Sequence, residues 1–387
     1  MIKIESKLPD LGVTIFSVMS ALAQKLNALN LSQGFPDFPP PPELIAALAQ
    51  ATQQGYNQYP PGDGLLSLRQ KIAAQFCQRD KVDLGPISEI TITPGATTAI
   101  LCAIQAVLNA GDEVIIFDPA YDSYAPAVKL AGAQAIHINL VHPDFHVDWN
   151  VVKDRINERT RLIIVNTPHN PSGAIWSKHD WRQLIELIQD KNICVLSDEV
   201  YEHLVFDGQQ HYSALSFPEL RDRSFVIGSF GKTFHVTGWK TGYCVAPQSL
   251  MKVFRQIYQF ANFCGVHPIQ VALNQFIEQH PEHILDLPNF YQAKRDLFIH
   301  GIQHSKFEYL PSPGTYFQNL DFSALRPELT DIEMCQYLAE QHKLVAIPIS
   351  VFYQQPPQDL KLIRVCFAKR EETLHLAGEI LTKVQSQ

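Results

Sequence analysis

Two lysines, Lys232 and Lys240, stand in the stretch Ser229-Phe230-Gly231-Lys232-Thr233-Phe234-His235-Val236-Thr237-Gly238-Trp239-Lys240. It follows an apolar, strand-like run, Phe225-Val226-Ile227. A lysine so placed can be a nucleophilic amine toward a carbonyl, provided burial or a neighbouring positive charge lowers its pKa. The bland alternative is a glycine loop with two surface lysines. Gly231-Lys232-Thr233 also matches the end of a phosphate-binding P-loop, but that motif needs a glycine five residues before its last glycine. Position 226 is Val226, inside the apolar run, so the P-loop fails on spacing.

Other chemistry-bearing residues share this setting. Strands are expected at Glu89–Thr93, Glu113–Phe117, Ala135–Asn139, Arg161–Asn166, Ile193–Ser197, Phe225–Gly228 and Gly242–Val245, with amphipathic stretches such as Ala96–Leu108 and Lys178–Asp190 between them. The alternation predicts an α/β fold with a mostly parallel seven-stranded sheet flanked by helices. Ligands of such sheets bind beyond the carboxyl ends of the strands. Pro94-Gly95-Ala96-Thr97-Thr98 opens a helix and offers an anion site, or ordinary capping. Asp118-Pro119-Ala120-Tyr121 offers a ring to stack on a flat ligand, or loop packing. Thr167-Pro168-His169-Asn170-Pro171-Ser172-Gly173 offers an amide, or a turn. Asp198-Glu199-Val200-Tyr201 puts an acid at the end of an apolar strand, which is costly without a partner. Amine, acid, amide, aromatic and anion cradle together are the set that pyridoxal phosphate requires.

Bulk composition narrows the partners. The 387 residues are 46% hydrophobic and 18% charged, which excludes disorder and allows two domains. A net charge of −8 with no basic run argues against nucleic acid and anionic membranes. Seven scattered cysteines without a CxxC pair read as reduced thiols, with no zinc or other metal site. Lys3 and Lys7 before the apolar Val13–Ala23 stretch resemble a short secretory signal. Against it, Ile15, Met19, Leu22, Leu26 and Leu29 form a helical stripe, and Glu5 and Asp10 spoil a basic leader, so a cytoplasmic location is expected. Past residue 280 the pattern shifts to a long helix, Pro288–His304, and shorter strands at Lys306–Tyr309, Thr315–Leu320, Leu344–Ile347 and Leu362–Phe367. The expected domains are an N-terminal arm over residues 1–44, a large domain over 45–285 and a smaller α+β domain over 286–387.

From Leu31-Ser32-Gln33-Gly34-Phe35-Pro36 to Ile363-Arg364-Val365, the chain resembles the class I aminotransferases, fold type I pyridoxal-phosphate enzymes. Within them it is most similar to the branch of methionine aminotransferases and kynurenine and glutamine transaminases. The resemblance implies that Lys232 carries the cofactor aldehyde as a Schiff base and Asp198 pairs with the pyridine nitrogen. Tyr201 and Asn170 would donate to the phenolic oxygen, and Tyr121 would stack on the ring. Ala96, Thr97, Ser229 and Lys240 would bind the phosphate. Tyr59 would reach the phosphate of a neighbouring subunit, implying a homodimer with shared sites. Arg364, Asn170 and the Gly34 backbone would hold the substrate carboxylate, a task suited to the two-pronged guanidinium.

Lys240 stands where most relatives have Arg, Ser172 where Thr is usual, and His169 where Asn or Ala is common. The implied reaction is a two-stage amino transfer between an amino acid and a 2-oxo acid. Phe35, Tyr121, Phe352 and Tyr353 as pocket walls, with no second cleft cation, point to neutral donors, methionine and aromatics first. The alternative in the same site is β-elimination on cysteine conjugates.

Overall fold

The computed structural model describes residues 2, 5–9 and 12–385; Lys3 and Asp10 of the N-terminal stretch lie outside the described residues. Seven strands form the large sheet: β1 (Ile90–Thr93), β2 (Glu113–Asp118), β3 (Gln134–Asn139), β4 (Thr160–Asn166), β5 (Cys194–Asp198), β6 (Ser224–Ser229) and β7 (Gly242–Val245). Their spatial order is β1-β7-β6-β5-β4-β2-β3, with β7 antiparallel to both neighbours. The other pairs along β6-β5-β4-β2-β3 are parallel.

Alternation along each strand sorts the side chains into two cores. Ile115, Ile163, Val165, Val195 and Val226 pack on one face, while Val114, Ile116, Leu162, Ile164, Leu196, Phe225 and Ile227 pack on the other. Burial on both faces is why these strands read as continuous aliphatic runs. Helices Ala96–Val107 and Gln248–Ala261 cover the second face through Ile100, Ile104, Met251 and Phe254. Gly228 lets β6 and β7 close up, since a Cβ there would lie 2.0 Å from Tyr243 Cζ.

The start of the chain is sewn to its end. Helix Ile15–Leu26 is capped by Thr14, whose side chain accepts from the Ser17 amide. The next residues, Leu29–Asn30, pair in parallel with Leu344–Val345, and the Leu31 carbonyl accepts from the Cys366 amide at 2.9 Å. A three-stranded antiparallel sheet follows in the C-terminal part: β8 (Phe317–Asp321), β9 (Ile347–Pro348) and β10 (Leu362–Cys366), with β10 in the middle.

Three expectations are corrected. The long helix runs Glu282–Ile302, with Pro288 inside it. The buried stripe Leu287, Tyr291, Arg295, Phe298 and Ile302 carries the helix through the proline despite the lost hydrogen bond. Residues 306–309 make only an isolated bridge, Glu308 to Asp321. Residues 344–347 divide between two partners, Leu344–Val345 pairing with the N-terminal arm and Ile347–Pro348 with β10.

Candidate active site

The carboxyl ends of β1, β2, β4, β5 and β6 open into one cleft with a cavity of about 140 Å³. Ala96, Thr97, Tyr121, Asn170, Asp198, Tyr201, Ser229, Lys232 and Lys240 all line it. Asn166, Val200, Ile100, Thr237 and Thr241 line it as well.

One end of the cavity is an anion cradle. Gly95, at φ +81°, turns β1 into helix Ala96–Val107, leaving the first amides of a 12-residue helix facing the cleft. Lys240, itself left-handed at φ +49°, brings its side chain beside this turn; a Cβ on Gly95 would lie 3.4 Å from its Nζ. Ser229, the last residue of β6, adds a hydroxyl that makes no capping bond to its own helix. Thr97 and the Tyr121 phenol both line the cavity wall here.

At the centre lies Asp198. One carboxylate oxygen accepts from the Tyr124 hydroxyl at 2.5 Å and the other from the Val200 amide at 3.3 Å. Burial pushes its pKa up to about 6, against the pull of Tyr124, Val200 and Lys232. The carboxylate is thus short of a cation and faces the cavity. Glu199, the next residue, is fully buried but saturated: it meets Ser197 Oγ at 2.7 Å, His211 Nε2 at 2.9 Å, the Ala214 amide at 3.0 Å and Ser213 Oγ at 3.1 Å. Of the two acids, only Asp198 has a face to offer a ligand.

Lys232 reaches toward Asp198 from the short helix Phe230–Thr233. Burial above all, and then the charges of Arg364 and Lys240, bring its ammonium down to about 8, against upward pulls from Cys366 and Asp198. Its Nζ donates to the Tyr316 hydroxyl at 2.9 Å and the Gly34 carbonyl at 3.2 Å. Burial also pushes the Tyr201 phenol far up, so that it remains a protonated donor.

Arg364 projects from β10 with only 1% of its surface exposed. It donates to Asn170 Oδ1 at 2.7 Å and the Ser32 carbonyl at 3.2 Å, while its Nε is buried without a partner. Burial lowers its pKa to about 10. Phe317, Phe352 and Phe16 surround the guanidinium, with ring centroids 3.9, 5.2 and 5.5 Å from Cζ. No carboxylate pairs with it at salt-bridge distance among the described residues, which leaves it ready for a ligand's anion.

Two expected site residues stand apart. Tyr59 is 79% exposed, edge-on to Phe263 at 5.2 Å, and does not enter the cleft of its own chain. Phe35 is partly exposed under Lys369, which donates to the Phe35 carbonyl at 2.9 Å. Tyr353 is buried, and the adjoining Gln354 amide bonds Asp118 at 2.8 Å. His169 acquires a part: its Nδ1 meets Ser172 Oγ at 2.6 Å, and the ring lies near the Pro119 backbone. Burial pushes it down to about 4, so a neutral imidazole sits between the Asn170 loop and the Tyr121 loop. Sequence reasoning missed Tyr124, Tyr316, Asn166 and Val200. Asn166 could have been found as the last residue of its strand; its side chain holds both the Asp198 carbonyl and the Asn170 amide at 2.8 Å.

Among the described residues no set of three or more His, Cys, Asp or Glu side chains is arranged for a metal ion, and no helix is long and apolar enough to cross a membrane. The seven cysteines are unpaired.

Residues 27–380 match the family described as aminotransferase class I and II. The chain is 48% identical over 380 residues to the methionine aminotransferase of Escherichia coli K12, covering 98% of each protein. A solved E. coli structure described as having a methionine aminotransferase function superposes with a TM-score of 0.97, over 99% of this chain and 100% of that one. Identity is 37% to a probable N-succinyldiaminopimelate aminotransferase of Mycobacterium tuberculosis, over 95% of each. It is 31% to kynurenine–oxoglutarate transaminase 1 of Rattus norvegicus, over 97% of each.

Proposed function

The chain belongs to the class I and II aminotransferases, and from that premise we propose that it moves the amino group of a neutral amino acid, methionine first, to a 2-oxo acid with pyridoxal phosphate in the cleft. The observation that carries this reading is the pairing of two unmet charges: Asp198, a buried carboxylate short of a cation, and Arg364, a buried cation short of an anion. A protonated pyridine nitrogen meets the first need and an α-carboxylate the second. The cavity also supplies the rest of what the cofactor needs. Helix amides at Ala96 and Thr97, the Ser229 hydroxyl and Lys240 would take the phosphate. Tyr121 and Val200 would lie beside the ring, and Tyr201 and Asn170 would donate to its oxygen. Asn170 accepts from Arg364 through Oδ1, which leaves its amide nitrogen free to donate.

When bound, pyridoxal phosphate supplies an aldehyde carbon that takes up amines and a ring that withdraws electrons from the substrate α-carbon. The protein's own residues do the rest. Arg364, Asn170 and the Gly34 backbone orient the substrate by its carboxylate. Lys232, when detached, is a neutral amine in much of the population near pH 8, and its Nζ would take and return the substrate α-proton. Asp198 would hold positive charge on the ring nitrogen, with the Tyr124 hydroxyl donating to its carboxylate.

The walls favour neutral side chains. Phe16, Phe317 and Phe352 crowd Arg364, and among the described residues the only cations lining the cavity are Lys232 and Lys240. We further place the enzyme in the cytoplasm, which suits its unpaired cysteines. It acts as a homodimer, in which the exposed Tyr59, Phe263 and 91%-exposed Phe260 form an apolar face for a second copy. Tyr59 then reaches the phosphate of the neighbouring site.

The test is a spectrum followed by a donor panel. Pyridoxal phosphate gives a borohydride-bleachable band that maps to Lys232, and methionine and aromatic donors outpace aspartate. Preference for aspartate would refute the substrate reading; predominant release of pyruvate and ammonia from cysteine conjugates would favour a lyase.

A further inference from the structure

Three groups from distant parts of the chain meet at the Lys232 amine. Nζ donates to Tyr316 and to the Gly34 carbonyl, and the Tyr316 hydroxyl donates to that same carbonyl at 2.5 Å. The triangle closes over sequence separations of 198 and 282 residues. Tyr316 has no exposed surface, and Tyr201, Phe317 and Tyr291 pack around its ring at 5.2, 4.9 and 5.7 Å. Its hydroxyl donates to the Gly34 carbonyl while its oxygen accepts from Lys232. Burial pushes the phenol well up, which keeps that arrangement across the working pH range. The amine also lies 5.5 Å from the ring centroids of both Tyr201 and Tyr316, where its protonated form is favoured.

A phenylalanine would fill the same space. The hydroxyl alone is buried polar surface, costly unless it is used. A lysine that lets go of its carbon and then moves a proton needs a defined place for a flexible four-carbon stem. The geometry points to Tyr316 as a positioning residue that, with the Gly34 carbonyl, holds the Lys232 amine while it is detached from the cofactor. The inference rests on the reading of Lys232 proposed above. It assigns the small sheet a part in the chemistry, since Tyr316 immediately precedes β8.

The experiment compares the wild-type holoenzyme with Tyr316→Phe. Borohydride reduction and peptide mapping come first, then single-turnover kinetics with methionine and α-deuterated methionine. The Phe variant gives the same adduct at Lys232 and the same methionine Kd within about twofold. Its single-turnover rate falls by about 10- to 100-fold, the scale set by a misplaced reacting group, and its α-deuterium isotope effect rises. An unchanged rate and isotope effect would overturn the inference. So would weakened methionine binding without a larger isotope effect, the mark of a packing role, or failure of the variant alone to take up cofactor. If the wild-type protein itself yields no adduct at Lys232, the reading of Lys232 falls, and this inference with it.

Discussion

The proposed cofactor end and the proposed substrate end of the cleft are built by opposite means. Every residue lining the cavity at the cofactor end lies between Gly95 and Thr241, on the rims of one sheet. The substrate end collects Gly34 from the N-terminal arm, Asn170 from the large sheet, and Tyr316, Phe352 and Arg364 from the C-terminal part. The first is fixed by strand register, the second by packing between segments. The charges differ in the same way. Asp198 keeps two hydrogen bonds at the rim of its own sheet, whereas Arg364 depends on a carbonyl from residue 32 and an amide from residue 170. On the proposed reading, cofactor binding and substrate binding should be separable in this protein.

Four measurements bear on that separation, in order of expected effect. Lys232→Ala lowers turnover by at least about 10⁴-fold, the upper range for a positioned acid–base group, with little change in melting temperature. Retained turnover without added amine would show that Lys232 belongs to neither end. Arg364→Ala lowers kcat/KM for methionine by about 10²- to 10³-fold, through loss of a buried charge-assisted contact. Cofactor absorbance stays intact in that variant; if the cofactor is lost too, the two ends are not separable. Uptake of pyridoxal phosphate, followed by its absorption band, quickens about tenfold per pH unit up to about 8 and then levels. The sign follows from the lowered lysine pKa: the neutral, nucleophilic amine accumulates as pH rises through it. A plateau reached only above pH 10 would place Lys232 in solvent. Lys240→Arg, finally, changes cofactor affinity by less than about threefold, since either side chain supplies the positive charge. Loss of the cofactor would mean that the cradle is tuned to a point charge.

The same contrast governs what could be read in the sequence. Strand ends concentrate ligand-binding residues, so Lys232, Asp198, Asn170 and the Gly95 turn were legible from patterns of aliphatic runs followed by small or polar residues. Arg364 lies inside a strand and was reached only through the family resemblance. Tyr124 and Tyr316 gave no signal, because a tyrosine's use depends on a partner 74 or 84 residues away. The helix from Glu282 was read too short because Pro288 is a local stop signal, and tertiary burial of its stripe overrides that signal. The Lys306–Tyr309 segment has aromatic residues that favour a strand, yet it finds only one bridge to pair with.

The confinement of the cavity lining to residues 95–241 has a consequence for how the protein is made. Synthesis runs from the N-terminus at about 5–20 residues per second, and units fold as they emerge. The strands and rim of the cofactor cradle are therefore outside the ribosome seconds before Tyr316, and longer before Arg364, has been translated. On the proposed reading, the residues for a phosphorylated aldehyde are made before those for an amino acid, although the Lys232 segment still waits for Phe276 and His283 to pack on it. Lys232 is made well before Tyr316, and only the last quarter of the chain supplies that partner.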